Sequence, residues 1–288
     1  MKQILIISGK GGTGKTTVAA AFIELAKAGA CADCDVDAPN LHLILKQQVP
    51  PISINFFGLP KAQIDKNICH HCGVCIENCR FDAITYSNNY TVDPFACEGC
   101  ALCQAICPSG AISMQPAIAG KLELYMDKNV FSTAKLRMGS GNSGKLVSEV
   151  KAHMITTAPD LPLAIIDGSP GIGCPVIASM SGVDLALIVT EPSVSGISDL
   201  KRVLITAAQF GVKTAVCINK ADINRQLSQE IIDYCRQNDI PFVGSIPFDQ
   251  AAIAAINSGK SIVALDCVAA KAVKKIYQRT INLIQNKI

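Results

Sequence analysis

Residues 4–17 read ILIISGKGGTGKTT, and they carry the strongest indication of the fold. A short apolar strand is followed by a glycine-rich turn and then by an Ala-rich segment, residues 17–27, with helical spacing. This is the context that a phosphate-binding loop requires, because glycines let backbone N–H groups turn onto phosphate oxygens and a helix N-terminus favours negative charge. The chain is therefore expected to bind the phosphates of a nucleotide.

The residues of this loop have separate expected roles. Lys15 would reach the β- and γ-phosphates, and the Thr16 hydroxyl would bind Mg²⁺. The full set of loop residues expected to contact the nucleotide is Gly11, Gly12, Thr13, Gly14, Lys15, Thr16 and Thr17.

Later segments of the chain alternate between strand and helix patterns. The second strand is expected to end at Asp37. Further strands are expected to cover residues 163–166, 185–189, 212–218 and 242–246, with helices at 199–210 and 228–238. Such alternation predicts an α/β fold with a doubly wound, mostly parallel sheet that is covered on both faces. The second strand is unusual, because Ala28-Gly29-Ala30-Cys31 stands where large apolar residues are expected.

Two cysteine runs with the spacing C-x2-C-x2-C-x3-C interrupt the alternation. This spacing is typical of bacterial ferredoxins with two 4Fe-4S clusters, in which the last cysteine of each run ligates the other cluster. One cluster would be held by Cys69, Cys72, Cys75 and Cys107, and the other by Cys97, Cys100, Cys103 and Cys79. Two zinc sites are the alternative, although zinc seldom uses four cysteines in so tight a repeat.

The cysteine-rich segment is interpreted as an inserted α+β ferredoxin-like domain, residues 58–116, with a repeat of about 28 residues. The nucleotide-binding domain would then comprise residues 1–57 and 117–288, with further strands expected between 120 and 144. The first cysteine run ends in Cys79-Arg80, whereas the second ends in the expected Cys107-Pro108.

Composition bounds the environment of the protein. The 288 residues include 14 Cys, but no signal peptide precedes the first strand and eight Cys fall into ferredoxin spacing, which favours a reducing, cytoplasmic location. No apolar run reaches the roughly 18 residues of a membrane helix, since residues 176–189 are interrupted by Asp184. The formal charge of +3 is too small to indicate nucleic acid. We expect neither a nucleic-acid partner nor membrane contact.

Lys10, at the first position of K-G-G-x-G-K-T, makes this loop resemble the deviant phosphate loop of the MinD/ParA and nitrogenase iron protein class. The resemblance covers residues 1–51 and 161–247. It implies that Lys10 crosses a dimer interface to the partner's nucleotide, as an arginine finger does in trans. The chain is therefore expected to form a homodimer when ATP binds.

The same resemblance assigns the two switch segments. Asp35-Val36-Asp37 resembles the first switch, in which Asp37 would orient the attacking water and Asp35 would support the Mg²⁺ shell. Residues 165–171, IIDGSPG, resemble the second, in which Asp167 would hold the Mg²⁺-bound water and Gly171 would sense the γ-phosphate. Asn219 and Pro247 match adenine-binding positions of the family.

Other cysteines and a second glycine loop have more than one interpretation. Cys31 and Cys34 are either a redox pair or, preferably, buried strand residues. Cys174 lies where the nitrogenase iron protein has a cluster ligand shared across its dimer. Residues 139–145, GSGNSGK, also fit G-x4-G-K, but Leu146 replaces the Mg²⁺-binding hydroxyl and no clean apolar strand precedes them. A mobile loop is expected there rather than a second nucleotide site.

A last helix, residues 268–287, is expected to pack on the sheet with a wet basic face; a membrane-binding helix is the alternative. Together the motifs resemble the MinD-superfamily P-loop ATPases that contain an inserted ferredoxin domain. This resemblance implies ATP hydrolysis that gates electron transfer to an unidentified redox protein or metalloprotein. An iron-sulfur cluster carrier and a ParA-like positioning ATPase with structural clusters are the alternatives.

Overall fold

The computed structural model describes residues 1–285, which form thirteen strands and ten α-helices. The strands are β1 (Lys2–Ser8), β2 (Ala30–Asp33), β3 (Ile52–Phe57), β4 (Lys61–Ile64), β5 (Ile84–Ser87), β6 (Asn89–Val92), β7 (Ile112–Gln115), β8 (Ile118–Met126), β9 (Val130–Leu136), β10 (Leu163–Pro170), β11 (Leu185–Thr190), β12 (Thr214–Asn219) and β13 (Phe242–Ile246). The helices are α1 (Lys15–Ala26), α2 (His42–Leu45), α3 (Val74–Glu77), α4 (Leu102–Ala105), α5 (Ser143–Thr157), α6 (Cys174–Met180), α7 (Val194–Gln209), α8 (Arg225–Gln237), α9 (Gln250–Asn257) and α10 (Val268–Gln285).

The chain forms two compact units. The first comprises Met1–Ser53, Leu122–Lys135 and the chain from Gly144 onward. The second comprises Ile54–Lys121 and Leu136–Ser143, so the expected insert at 58–116 lies within it. Three of the four boundaries between the units fall inside strands β3, β8 and β9, and the fourth follows Ser143, the first residue of α5.

A mostly parallel sheet forms the centre of the first unit. Its strand order is β13-β12-β11-β1-β10-β2-β9, continued by β8 and β3, and the pairs from β13 to β9 are parallel. The central strand carries Ile4 to Ile7, all fully buried, because helices cover both faces of a parallel sheet. The predicted α/β class is confirmed, and the four strands predicted between residues 163 and 246 all form.

Strand β2 ends earlier than predicted, at Asp33 rather than Asp37. Its small residues are explained by its position between β10 and β9, where Ala30, Cys31 and Ala32 are completely buried. A side chain at Gly29 would also lie 2.7 Å from Leu161. Close packing therefore selects small residues here, and Asp35 and Asp37 lie in the loop that follows the strand.

The strands expected between residues 120 and 144 are β8 and β9. A strand, β9, ends three residues before the loop at 139–145, where no clean apolar strand was expected. Two buried polar residues, Ser132 and Thr133, conceal the apolar pattern of β9. Leu146, in α5, is fully buried and packs in the core rather than presenting a metal-binding hydroxyl.

Helix α10 packs against α1 and β13, as predicted for the last helix. Its buried side includes Val273 and Ile276, and Tyr277 meets Phe22 edge to face with ring centroids 5.2 Å apart. Its basic residues Lys271, Lys274, Lys275 and Arg279 are exposed. The predicted helix ended at Lys287, which lies outside the described residues.

The second unit is built from two antiparallel strand pairs and two short helices. Strand β4 pairs with β7, and β5 pairs with β6. Helices α3 and α4 begin 28 residues apart, at Val74 and Leu102, which follows the cysteine repeat. Its buried core consists of Ala62, Cys75, Ala83, Ile84, Cys97 and Ile112. Two of the repeated cysteines thus belong to the core of this unit.

Candidate functional site

The phosphate loop connects β1 to α1 and borders a cavity of about 690 Å³ in the first unit. Gly12 and Gly14 have φ angles of +79° and +91°, a conformation that favours glycine. A side chain at Gly14 would lie 2.2 Å from the Asn219 amide nitrogen, whereas Gly11 and Gly12 face open space. The loop therefore leaves room for phosphates. The expected contact residues that line the cavity are Gly11, Gly12, Gly14, Lys15, Thr16, Thr17 and Asp35.

Lys15 lies among carboxylates at one wall of this cavity. Its Nζ is 2.8 Å from Asp167 Oδ1 and 3.8 Å from Asp35 Oδ2, and its side chain is only 7% exposed. Burial alone would lower the pKa of Lys15, but the charges of Asp167, Asp35 and Asp33 raise it above the ordinary value. Lys15 is thus a buried, permanently charged cation at the place where phosphates are expected.

The donor set beside Lys15 fits a magnesium ion. Among the described residues, Asp167 Oδ2 is buried and has no hydrogen-bond partner, so it has a free acceptor. Thr16 Oγ1 lies 3.4 Å from Lys15 Nζ, and Asp35 borders the same cavity. Hydroxyl and carboxylate oxygens are the ligands that Mg²⁺ prefers. These three residues are the ones that would hold it.

Asp33 is a site residue that the sequence analysis missed. It is fully buried at the end of β2 and accepts hydrogen bonds from the backbone N–H groups of Asp35, Asn40 and Leu41. Burial and the nearby Asp167 carboxylate raise its pKa above the ordinary value. Asp33 therefore holds the loop that carries Asp35 and Asp37. The sequence feature that could have indicated its role is its position as the first of three aspartates at alternate positions, before Asp35 and Asp37.

The two segments predicted as switches are linked by hydrogen bonds through Cys34, the residue before Asp35. Ser169 Oγ donates to the Cys34 carbonyl at 2.5 Å, and the Cys34 N–H donates to the Asp167 carbonyl at 2.7 Å. The Gly171 N–H donates to the Ser8 carbonyl at 2.9 Å, so this switch also contacts the end of β1. Asp37 is exposed on its loop and, among the described residues, is not part of the cavity wall.

A smaller cavity of about 190 Å³ adjoins the phosphate loop in the first unit. Asn219 and Pro247, the positions predicted to bind adenine, line it together with apolar side chains such as Ile253 and Ile262. Asn219 Nδ2 donates to the Thr13 carbonyl at 2.7 Å, which ties the end of β12 to the loop. An apolar slot beside a phosphate loop suits a flat nucleotide base.

Lys10 points to another part of the first unit. Its Nζ is 2.7 Å from Glu191 Oε1 and donates to the hydroxyls of Ser193 and Ser195 at 3.2 and 2.9 Å. Among the described residues, Lys10 is not in the wall of the phosphate cavity. The two lysines of the loop therefore have different surroundings.

The eight cysteines predicted to ligate clusters all lie in the second unit. Cys79, Cys97, Cys100 and Cys103 line one cavity of about 260 Å³. Burial and the electrostatic effect of the nearby Cys69 and Cys72 raise the pKa of Cys75, so these three side chains also lie near one another. The Cys107 sulfur lies 3.6 Å from the Ser109 hydroxyl. Within residues 1–285, however, no three His, Cys, Asp or Glu side chains form a group that could hold a metal ion.

The remaining cysteines have varied surroundings. Cys31 and Cys34 are both fully buried; Cys31 is near Asn129 and Val130, whereas the charge of Lys151 acts on Cys34. Burial raises the pKa of both thiols well above the ordinary value. These are the properties of core residues. Cys174 is exposed at the start of α6.

Sequence comparison finds one protein family and several individual proteins to which this chain is similar. Residues 4–262 match the model of the CobQ/CobB/MinD/ParA nucleotide binding domain. Uncharacterized protein MJ0578 of Methanocaldococcus jannaschii is 31% identical over 253 residues, covering 86% of this chain and 84% of the relative. An iron-sulfur cluster carrier protein of the same organism is 23% identical, covering 99% of this chain and 86% of the carrier.

The fold is also similar to that of the septum site-determining protein MinD of Pyrococcus horikoshii, solved as a complex with Mg-ADP. The TM-score is 0.59 with 19% sequence identity, and the match covers 100% of this chain and 99% of that one. This likeness confirms the predicted MinD-like fold.

No helix within residues 1–285 is long and apolar enough to cross a membrane.

Proposed function

The chain belongs to the CobQ/CobB/MinD/ParA family of nucleotide-binding domains, and we propose that it hydrolyses ATP in a homodimer that forms when ATP binds. The observation that carries the proposal is Lys15, a buried cation held between Asp167 and Asp35 at the wall of the phosphate cavity. The phosphate oxygens of an entering triphosphate can replace Asp167 and Asp35 as the partners of the Lys15 ammonium. Asp167 and Asp35, with Thr16, are then available to Mg²⁺, which would neutralise charge that develops on the phosphates.

Hydrolysis would depend on the loop that follows β2. Asp33 holds this loop through three backbone hydrogen bonds, and Asp37 is exposed on it. We assign Asp37 to the attacking water, which requires the loop to approach the γ-phosphate when ATP is bound. Gly171 would respond to the same phosphate. Order or movement of such switch segments is the usual consequence of γ-phosphate contacts.

We propose in addition that residues 58–116 form an inserted ferredoxin-like domain with two 4Fe-4S clusters, between ATPase segments 1–57 and 117–288. The support is the cavity lined by Cys79 from the first run and Cys97, Cys100 and Cys103 from the second, which is the interleaved set that this spacing implies. In a cuboidal cluster each thiolate binds a different iron, so the sulfurs surround the cluster instead of meeting at one ion. The clusters, when bound, supply one-electron transfer.

Together, these features favour ATP-gated electron transfer to a redox protein or metalloprotein in the cytoplasm. The alternative is a cluster carrier, which the 23% identical carrier protein of Methanocaldococcus jannaschii favours. Carriers usually place a C-x2-C pair late in the chain, whereas Cys217 and Cys235 here are separate buried residues and Cys267 stands alone. We therefore retain electron transfer as the main proposal.

The test uses protein prepared without oxygen and, where needed, reconstituted with iron and sulfide. We expect about eight iron and eight sulfide per chain, Mg²⁺-dependent phosphate release from ATP, and a doubled mass in sedimentation with ATP. Zinc as the main metal without brown absorbance would contradict the clusters. Failure to release phosphate would contradict the ATPase. Rapid donation of clusters to an apo-ferredoxin, without reversible reduction, would favour the carrier.

A further inference from the structure

Lys10 is held by a set of contacts within its own chain. Glu191 directly follows β11. Its Oε1 lies 2.7 Å from Lys10 Nζ, and its Oε2 lies 3.4 Å from Lys220 Nζ. Ser193 and Ser195 add hydroxyl acceptors to Lys10. All these groups lie in the first unit. The Lys10 ammonium thus has three defined acceptors, and it faces Glu191 instead of the phosphate cavity.

The backbone around Glu191 fixes the position of this carboxylate. The Ser193 N–H donates to the Glu191 carbonyl at 2.8 Å, and Ser193 Oγ accepts from the Gly196 N–H at 3.0 Å as the N-cap of α7. A side chain at Gly196 would lie 2.4 Å from the Glu191 carbonyl oxygen. Glu191 therefore sits on a tight turn that α7 holds in place.

The charge of Glu191 is maintained by its two lysines. Partial burial would raise its pKa, but Lys10 and Lys220 lower it below the ordinary value, so the carboxylate stays ionised. The exposed fractions are 29% for the Lys10 side chain and 21% for Glu191, so the pair is only partly screened by water. If Lys10 leaves, Lys220 still neutralises Glu191, and no unpaired buried charge remains. Release of Lys10 is therefore possible at moderate cost.

We propose that Glu191 is a positioning residue that holds Lys10 within its own chain and so raises the concentration of protein needed for the ATP-dependent dimer. This inference rests on the proposed dimer, in which Lys10 would leave Glu191 for the γ-phosphate bound by the partner. The carboxylate and the phosphate compete for the same ammonium.

The test compares Glu191→Gln with wild type in the intact holoprotein. Glutamine keeps the size of the side chain but removes the charge that binds Lys10. Sedimentation equilibrium with Mg²⁺ and a non-hydrolysable ATP analogue should show dimers at about fivefold lower protein concentration, which corresponds to about 1 kcal/mol. The matched control is Asp233→Asn, which removes one carboxylate from an exposed pair with Arg236 on α8 and should leave the dimer unchanged.

A double-mutant cycle shows whether the effect passes through Lys10. In a Lys10→Ala background, Glu191→Gln should change the dimer constant by less than about twofold. A gain that persists without Lys10 would overturn the inference, as would equal or weaker dimerisation of Glu191→Gln. If wild type dimerises and Glu191→Gln does not differ, only this inference fails. If both remain monomeric with the analogue bound, the proposed dimer fails as well.

Discussion

Replacement of Lys15 by alanine should weaken the binding of ATP by at least about 150-fold. The Lys15 side chain is 7% exposed, so its contacts with phosphate would be little screened. Two charge-assisted hydrogen bonds of about 1.5 kcal/mol each amount to about 3 kcal/mol, and this corresponds to about 150-fold in affinity. The substitution also leaves Asp167 and Asp35 without their cation, and their charges then oppose the phosphates. The figure is therefore a lower limit.

The same contacts predict a loss of stability that must be separated from the loss of binding. Removal of one partner from a buried ion pair lowers the free energy of unfolding by about 3–5 kcal/mol. The double variant Lys15→Ala/Asp167→Asn removes the charge of Asp167, the more buried of the two carboxylates that lose their cation, so it should regain most of the stability without regaining ATP binding. Lys2→Ala is a matched control, because Lys2 forms an exposed pair with Asp184 in the same unit.

Calorimetry with ATP and Mg²⁺ measures the affinity of each variant, and thermal unfolding followed by circular dichroism measures the stability. Lys2→Ala should match wild type in both. The reasoning is refuted if Lys15→Ala binds ATP within tenfold of wild type. It is also refuted if the double variant binds ATP normally, since Lys15 would then not be the cation that receives the phosphates.

Three further predictions concern hydrolysis, metal content and coupling. Asp37→Ala should leave ATP affinity within about twofold of wild type, because Asp37 is exposed and outside the cavity wall, but should stop phosphate release; poor binding by this variant would contradict its role. Cys79→Ala should lower the iron content from about eight to about four per chain, whereas Cys235→Ala in the core of the first unit should not; equal iron in both would reject the ligand set. ATP and ADP should give different cluster reduction potentials with a coupling of about 1–3 kcal/mol, and Lys10→Ala should reduce that difference. Potentials and ATP affinities that are independent of each other, measured by anaerobic potentiometry and binding, would reject gating.

Local sequence was sufficient for the phosphate loop and for the alternation of strands and helices. The run from Ile4 to Thr17 contains its strand, its turn and the start of its helix in one contiguous segment, so short-range preferences are enough to predict it. The cluster ligands derived from the cysteine spacing remain a prediction; the structure places Cys79 and Cys97 in the wall of one cavity.

Features that depend on distant residues could not be read from the sequence. Asp33 was not singled out from the sequence, but burial between β10 and β9 makes it the residue that holds the loop of Asp35 and Asp37. Strand β9 was obscured by Ser132 and Thr133, whose burial follows from the sheet and not from their polarity.

The surroundings of the two loop lysines also required the tertiary structure. Lys10 and Lys15 are five positions apart in one loop, and their spacing gave no indication that one would meet Glu191 and the other Asp167. Those carboxylates follow or lie within strands on opposite sides of β1, namely β11 and β10. Parallel strands bring residues more than 150 positions away to the same end of the sheet. The charge environment of each lysine is thus a property of strand order, which local preferences do not encode.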